Sequence, residues 1–372
     1  MINGSTKIKS RVSRKLCIIA LIFIGGFLAV IAINLGTREN GHTNTTQPTY
    51  WPTEVWRSET PEKLGMNGSK LDAMITCIKT SIPTIDSVVV IRHGYVAAEE
   101  YFGTFNATTK HHLYSCTKSV VSTLIGIALD RKQINGVDSK VLDLLPEYHP
   151  ENMSDWKRDL TLRDLLVMSS GLDARDDYSD NWIWLNKLVK AQDAVQYALD
   201  LNVTVKPGTT FKYTDANSHL LSAIIIEKTG TATLTYAKKN LFEPLGIYNI
   251  IWKNDTSGRQ WGFYGLYMTP RDMAKIGYLY LHNGIWDGKR IVSEEWIMQA
   301  TSKKMDADLF PGYGFQWWVS KKGRYYTAAG YGGQFIYVFP DKDMVVVFIG
   351  HDEQNFYNPD RLLTEFILPA VK

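Results

Sequence analysis

Ser115 and Lys118 stand three residues apart in "YSCTKSVVSTLIGIALD", residues 114–130, just ahead of a long apolar stretch. A serine hydroxyl attacks a carbonyl only when a nearby base removes its proton. On a helix, residues i and i+3 share a face, so this spacing brings an amine to the hydroxyl. The amine can act as a base in its neutral form, which burial and the positive end of a helix both favour. Spacing alone does not single out this pair, because Ser154-Asp155-Trp156-Lys157 repeats it. Context separates the two. "HPENMSDWKRDL" reads as a polar loop with a solvated, cationic lysine, whereas Ser115 leads into an apolar helix that must be buried to be stable. The competing reading of Ser115 and Lys118 is a helix-capping serine beside a lysine whose amine reaches out to water.

Two further stretches have chemical potential. In "KPGTTFKYTDANSHLLSAIIIEKTG" a Pro207-Gly208 turn precedes Tyr213 and a helix is expected from about Asn217. A phenol at such a junction can face a cleft and relay protons; plain packing is the alternative use. "AAGYGGQFIYV", Ala328 to Val338, is glycine-rich and runs into a strand. Such backbone can approach a substrate closely, and a strand-edge N–H can form half of an oxyanion hole. A bulge or tight bend is the competing reading.

Taken in order, Ser115-x-x-Lys118, Tyr213-x-Asp215 and the Gly330 to Gly333 run resemble the serine β-lactamase-related family, which includes class C β-lactamases, DD-peptidases, esterases and nylon-oligomer hydrolases. "HHLYSCTKS", "LTLRDLLVMSSGL", "GLYMTPRDMAKIGYLYLHNGIW" and "YGFQWW" strengthen the resemblance, which runs from about Leu64 to Lys372. It implies an α/β (α+β) fold of the β-lactamase/DD-peptidase type, with a cleft between a sheet and a helical lobe. It further implies that Ser115 attacks the carbonyl, that Lys118 and Tyr213 share proton transfer, and that an acyl-enzyme is then hydrolysed. The backbone N–H groups of Ser115 and Tyr331 would hold the oxyanion, and Asp215, Gly330 and Gly332 would line the substrate cleft.

Two departures from the family pattern narrow the substrate. Many relatives carry Tyr-x-Asn where this chain has Tyr213-Thr214-Asp215, so Asp215 is expected either to hold Lys118 protonated or to repel acidic substrates. β-Lactamases and DD-peptidases carry Lys-Thr-Gly or His-x-Gly where this chain has Ala329-Gly330-Tyr331-Gly332, which offers no cation for a substrate carboxylate. Esters or amides of a small-molecule or peptide-like substrate are therefore favoured. The alternatives are a β-lactamase or DD-peptidase, and a catalytically silent binding protein of the same fold.

The elements that must position these residues follow from pattern. "LDAMITCIKTSI" has helical spacing, and "SVVVIRHGYVAAEEYF" reads as a hairpin turning at His93-Gly94. Helical patterns dominate from Ser115 to about Ala300. Strands return in "GYGFQWWVS", "GRYYTAAG", "GQFIYVFP" and "MVVVFIG", and a last helix begins at Asn358-Pro359. Strands from both ends of the domain predict one mostly antiparallel sheet flanked by helices, with a helical lobe made from the middle.

Ahead of that domain, residues 1–15 carry Lys7, Lys9, Arg11, Arg14 and Lys15 and no acid. Residues 16–36 include eighteen uncharged positions, Leu16 to Ile33, which reaches the length of a membrane span. The reading is a basic cytoplasmic head, 1–15, and an uncleaved signal anchor, 16–36, with a cleaved signal peptide as the alternative. A linker, 37–62, and an extracytoplasmic catalytic domain, 63–372, follow. Sequons at Asn44, Asn67, Asn106, Asn152, Asn202 and Asn254 are compatible with export.

Removing the five basic residues of the head from the 41 in the chain leaves 36 against 38 acidic residues, so the body is near neutral and has no footprint for nucleic acid. Cys77 and Cys116, both in the outward-facing domain, could pair, but free thiols are expected. No Gly-x-Ser-x-Gly elbow occurs, which removes an α/β-hydrolase. His111-His112 lacks the spacing of a metal motif and is assigned to the segment entering the Ser115 helix. No metal or other cofactor is expected.

Overall fold

The computed structural model of the chain describes residues 48, 50–174, 183–352 and 359–372. The head 1–15 and the span 16–36 lie outside the described residues. Among those described, no helix is long and apolar enough to cross a membrane.

The domain is organised around a seven-stranded, wholly antiparallel sheet. Its first two strands, β1 (Ile85–Arg92) and β2 (Tyr95–Tyr101), form the expected hairpin. His93 and Gly94 both take positive φ at its turn, 50° and 80°, the twist that two-residue hairpin turns require. Short strands lie in the middle of the chain: β3 (His111–His112), β4 (Ile251–Trp252) and β5 (Leu266–Met268) make a three-stranded sheet, and β6 (Ile285–Trp286) pairs with β7 (Lys289–Arg290). The main sheet is completed by β8 (Gly312–Tyr313), β9 (Trp318–Val319), β10 (Tyr326–Gly330), β11 (Gln334–Phe339) and β12 (Met344–Gly350), in the order β2-β1-β12-β11-β10-β9-β8. Strands from the two ends of the domain thus meet where β1 pairs with β12, as the sequence predicts.

Strand periodicity sorts the side chains into two cores. Val89, Ile91, Ile336, Val338, Val345 and Val347 pack on one face with the helices Cys116–Asp130, Asp215–Thr229 and Pro270–Leu281. Val88, Val90, Phe335, Tyr337, Val346 and Phe348 pack on the other with the helix Gly68–Ser81 and the C-terminal helical turns from Asp360 to Ala370. With both faces covered, β11 and β12 are buried at every position, hence their unbroken apolar runs.

Three expectations need correction. The segment 37–62 is not merely a linker. Trp56 lies in the core and the Trp51 ring meets those of Tyr278 and His282 edge-on and that of Trp286 at a tilt. The Trp56 indole also donates its Nε1 hydrogen to the Arg271 carbonyl (3.1 Å), so the packed domain begins before residue 63. "GYGFQWWVS" is not one strand but β8 and β9 with a turn between them. Phe315 and Gln316 there spend their N–H groups on the carbonyls of Ala300 and Leu166 in the helical part, which draws the chain off the sheet. Lys157, finally, is 1% exposed rather than solvated, and burial lowers its pKa.

Candidate active site

Ser115 is held by a sharp turn between a short strand and a buried helix. His111 and His112 pair with Met268 and Tyr267, and Leu113 continues the ladder through an N–H bond to the Leu266 carbonyl (2.9 Å). Tyr114 then takes φ 45°, a left-handed conformation that costs a bulky residue energy and persists only where the surroundings impose it. The Leu113 and Tyr114 carbonyls accept the N–H groups of Cys116 and Thr117 (3.1 and 3.0 Å), so the helix starts immediately. Its residues Cys116 to Ala128 are all buried, which accounts for the apolar stretch after Ser115.

The capping reading of Ser115 fails. Its side chain makes no hydrogen bond to the first turn, and Lys118 is 1% exposed. The amine instead lies 2.8 Å from Ser115 Oγ and 2.6 Å from Asp215 Oδ1. Asp215 opens the helix Asp215–Thr229, two residues earlier than its pattern suggests, behind the Thr214 cap. The second serine–lysine pair shows why spacing is insufficient. Ser154 Oγ caps its helix by accepting the Lys157 N–H, and Lys157 Nζ points away to the Leu199 carbonyl (2.6 Å). Both lysines are buried, so direction separates them and burial does not.

Tyr213 also comes to this point. Lys118 Nζ sits 4.6 Å from its ring centroid, within cation–π range. The ring is stacked on Trp318 (5.4 Å, 20°) and edge-on to Tyr313 (6.2 Å). The Phe263 ring centroid lies 5.6 Å from the same amine. Trp318, Tyr313 and Phe263 were missed as site residues. The first two lie near or in "YGFQWW", but aromatic residues in an apolar run carry no sign of which face they will occupy.

The third motif approaches Ser115 as its glycines suggest. Gly330 ends β10, and a Cβ placed there would lie 2.4 Å from the Leu113 carbonyl oxygen and 3.2 Å from the Ser115 nitrogen. Tyr331 follows in the turn to β11, with Gly332 and Gly333 at φ 78° and 100°. Its ring meets that of Tyr114 edge-on at 5.6 Å. The sequence-predicted residues are therefore gathered from three separate parts of the chain. We expect Gly330→Ala to lower kcat on any accepted substrate by about 10-fold or more, since the contact is with backbone that cannot move without displacing Ser115. Retention of full kcat by the folded variant would show the turn to be pliable.

The charges near Ser115 are compensated locally. Burial and, next, the Asp215 carboxylate push the Tyr264 phenol up to about 12. Burial first, then Tyr213 and Asp215, raise the Tyr313 phenol well above its usual value. Both stay protonated at neutral pH. Cys116, adjacent to Ser115, has its thiol pKa raised by burial, so it is no rival nucleophile. It and Cys77 are free thiols, as expected.

A family profile described as Beta-lactamase matches residues 78–365. A 6-aminohexanoate-dimer hydrolase of Paenarthrobacter ureafaciens is 25% identical over 285 residues, spanning 70% of this chain and 71% of the relative. Among solved structures, a putative 6-aminohexanoate-dimer hydrolase from Bacillus anthracis superposes with a TM-score of 0.68 at 19% identity, covering 84% of this chain and 86% of its own. A family VIII carboxylesterase superposes with a TM-score of 0.66 at 16% identity, covering 81% and 96%. These two likenesses concern the fold.

Proposed function

We propose, for a chain that belongs to the Beta-lactamase family, that it is a membrane-anchored serine hydrolase cleaving ester or amide bonds through an acyl-serine intermediate. The observation that carries this reading is the buried Lys118 amine within 2.8 Å of Ser115 Oγ. As Oγ bonds to the substrate carbonyl carbon, its proton passes to Lys118. The negative charge that develops on the carbonyl oxygen is held by the backbone N–H groups of Ser115 and Tyr331. Collapse of the tetrahedral species expels the alcohol or amine, which receives a proton from Lys118 with the help of Tyr213. Water then attacks the acyl-serine in the reverse sense, returning the proton to Ser115 and releasing the acid. Asp215 takes up and returns a proton as Lys118 alternates between donating to Oγ and accepting from it.

The anion at Asp215 is turned toward Lys118, and Ala329-Gly330-Tyr331-Gly332 contributes no cation, so a substrate carboxylate finds little to grip here. This supports neutral esters and amides over penicillins and D-Ala-D-Ala peptides. The names of the relatives, a 6-aminohexanoate-dimer hydrolase and a carboxylesterase, support the same classes. Anchoring rests on the uncharged run Leu16 to Ile33 and its basic flank.

The test is fluorophosphonate labelling of the full chain together with a panel of ester, amide and β-lactam substrates. Labelling at Ser115 and faster turnover of neutral esters or amides than of penicillins are expected, and no labelling would leave only a binding module. Tyr213→Phe should still label but lose about 10²-fold in kcat; undiminished turnover would remove the phenol from the mechanism. The protein should stay with membranes through alkaline carbonate and leave with detergent.

A further inference from the structure

Gln334 is a polar residue at a fully buried register. It opens β11 opposite Gly330 and is 1% exposed, within a run that is otherwise apolar. Burying a carboxamide is costly unless its donors are used, and here the Nε2 donor is used twice. It bonds to the carbonyl of Tyr331 (3.2 Å) and to that of Gly350 at the end of β12 (2.5 Å). The backbone of the same residue reaches the other side of the cleft, because the Gln334 carbonyl accepts the Cys116 thiol hydrogen (3.4 Å), one residue after Ser115. Gln334 thus touches the turn that carries Tyr331, the strand behind it and the start of the nucleophile helix.

The turn needs such a restraint. Gly332 and Gly333 both have positive φ, and glycine there leaves the adjoining peptides free to rotate at small cost. Gly332 is pinned through its carbonyl by the Asp352 N–H (3.1 Å), but that bond does not hold the carbonyl of Tyr331. The Gln334 carboxamide does.

We propose that Gln334 is a positioning residue for the oxyanion hole. By holding the Tyr331 carbonyl it fixes the Tyr331–Gly332 peptide plane, which limits rotation about the Tyr331 Cα and so steadies the preceding Gly330–Tyr331 peptide, whose N–H faces the transition state. It does not touch the substrate itself. The inference rests on the reading of Tyr331 as an oxyanion donor. Because a misdirected donor stabilises the developing charge less while leaving ground-state binding alone, the loss falls on kcat.

The experiment compares the full chain with Gln334→Met, which keeps the bulk and removes the donor, and with Gln334→Glu, which puts an acceptor against the two carbonyls. Rates are normalised to the fraction of protein that labels at Ser115, so unfolded material does not count. Both variants should lose about 10- to 100-fold in kcat on a neutral ester, less than or equal to the loss of a whole oxyanion donor, with KM within about twofold. Affinity for a boronic-acid transition-state analogue should fall in parallel with kcat. A merely structural residue would lower the melting temperature and leave normalised kcat and analogue affinity unchanged, and that result overturns the proposal. If one variant fails to fold, the other decides. Turnover that survives Ser115→Ala would instead defeat the underlying functional reading, a failure distinguishable from that of Gln334.

Discussion

Ser115→Ala is expected to abolish fluorophosphonate labelling and to lower kcat by at least about 10⁴-fold, yet to melt within about 1 kcal/mol of the parent protein. The two halves of this result follow from one observation. A serine at a helix start usually stabilises the first turn, and its removal costs about 0.5–2 kcal/mol. Here the side chain makes no capping bond, and its hydroxyl accepts a hydrogen bond from the Lys118 amine (2.8 Å). Alanine therefore loses the attacking atom and very little packing. Calorimetry alongside ester hydrolysis checks both halves. A variant that stayed active would move the nucleophile elsewhere, and a variant that unfolded would make Ser115 a structural residue.

Lys118→Met should cut kcat by about 10²- to 10⁴-fold and also destabilise the domain by about 3–5 kcal/mol. Methionine fills much of the lysine's volume, so the stability loss comes from charge. It strands the Asp215 carboxylate, whose side chain is 13% exposed, without the cation that lies 2.6 Å away in the parent. Adding Asp215→Asn should recover most of the stability, since an amide needs no counter-charge, and none of the turnover. Denaturant unfolding and kinetics on the single and double variants read the two effects separately. Restored activity in the double variant would mean that Lys118 serves only to neutralise Asp215.

Much of the site was legible because its chemistry is written in short local patterns. Ser115 and Lys118 are neighbours on one helical turn, and Tyr213 and Asp215 flank one helix start, so reach along the chain already implies reach in space. The β-rich apolar runs of β1, β11 and β12 likewise placed the sheet. Lys157 shows where this fails. Its surroundings in sequence are polar, but it is buried and its amine bonds to the Leu199 carbonyl, 42 positions away. Trp51 and Trp56 fail the same way, since the helix Pro270–Leu281 that they help to cover lies more than 200 positions downstream.

From the chain alone came the candidate serine, the neighbouring amine, the phenol, the glycine turn and an antiparallel sheet closed by both ends, because each rests on residue type and short-range periodicity. Only the folded structure decided that Asp215 is spent on Lys118, that Trp318 backs the Tyr213 ring, and that Gln334 grips the turn after Gly330. These are contacts between segments whose separation in sequence is set by everything lying between them. Distance of this kind has no local signature, since it depends on how two buried faces pack and not on either face by itself.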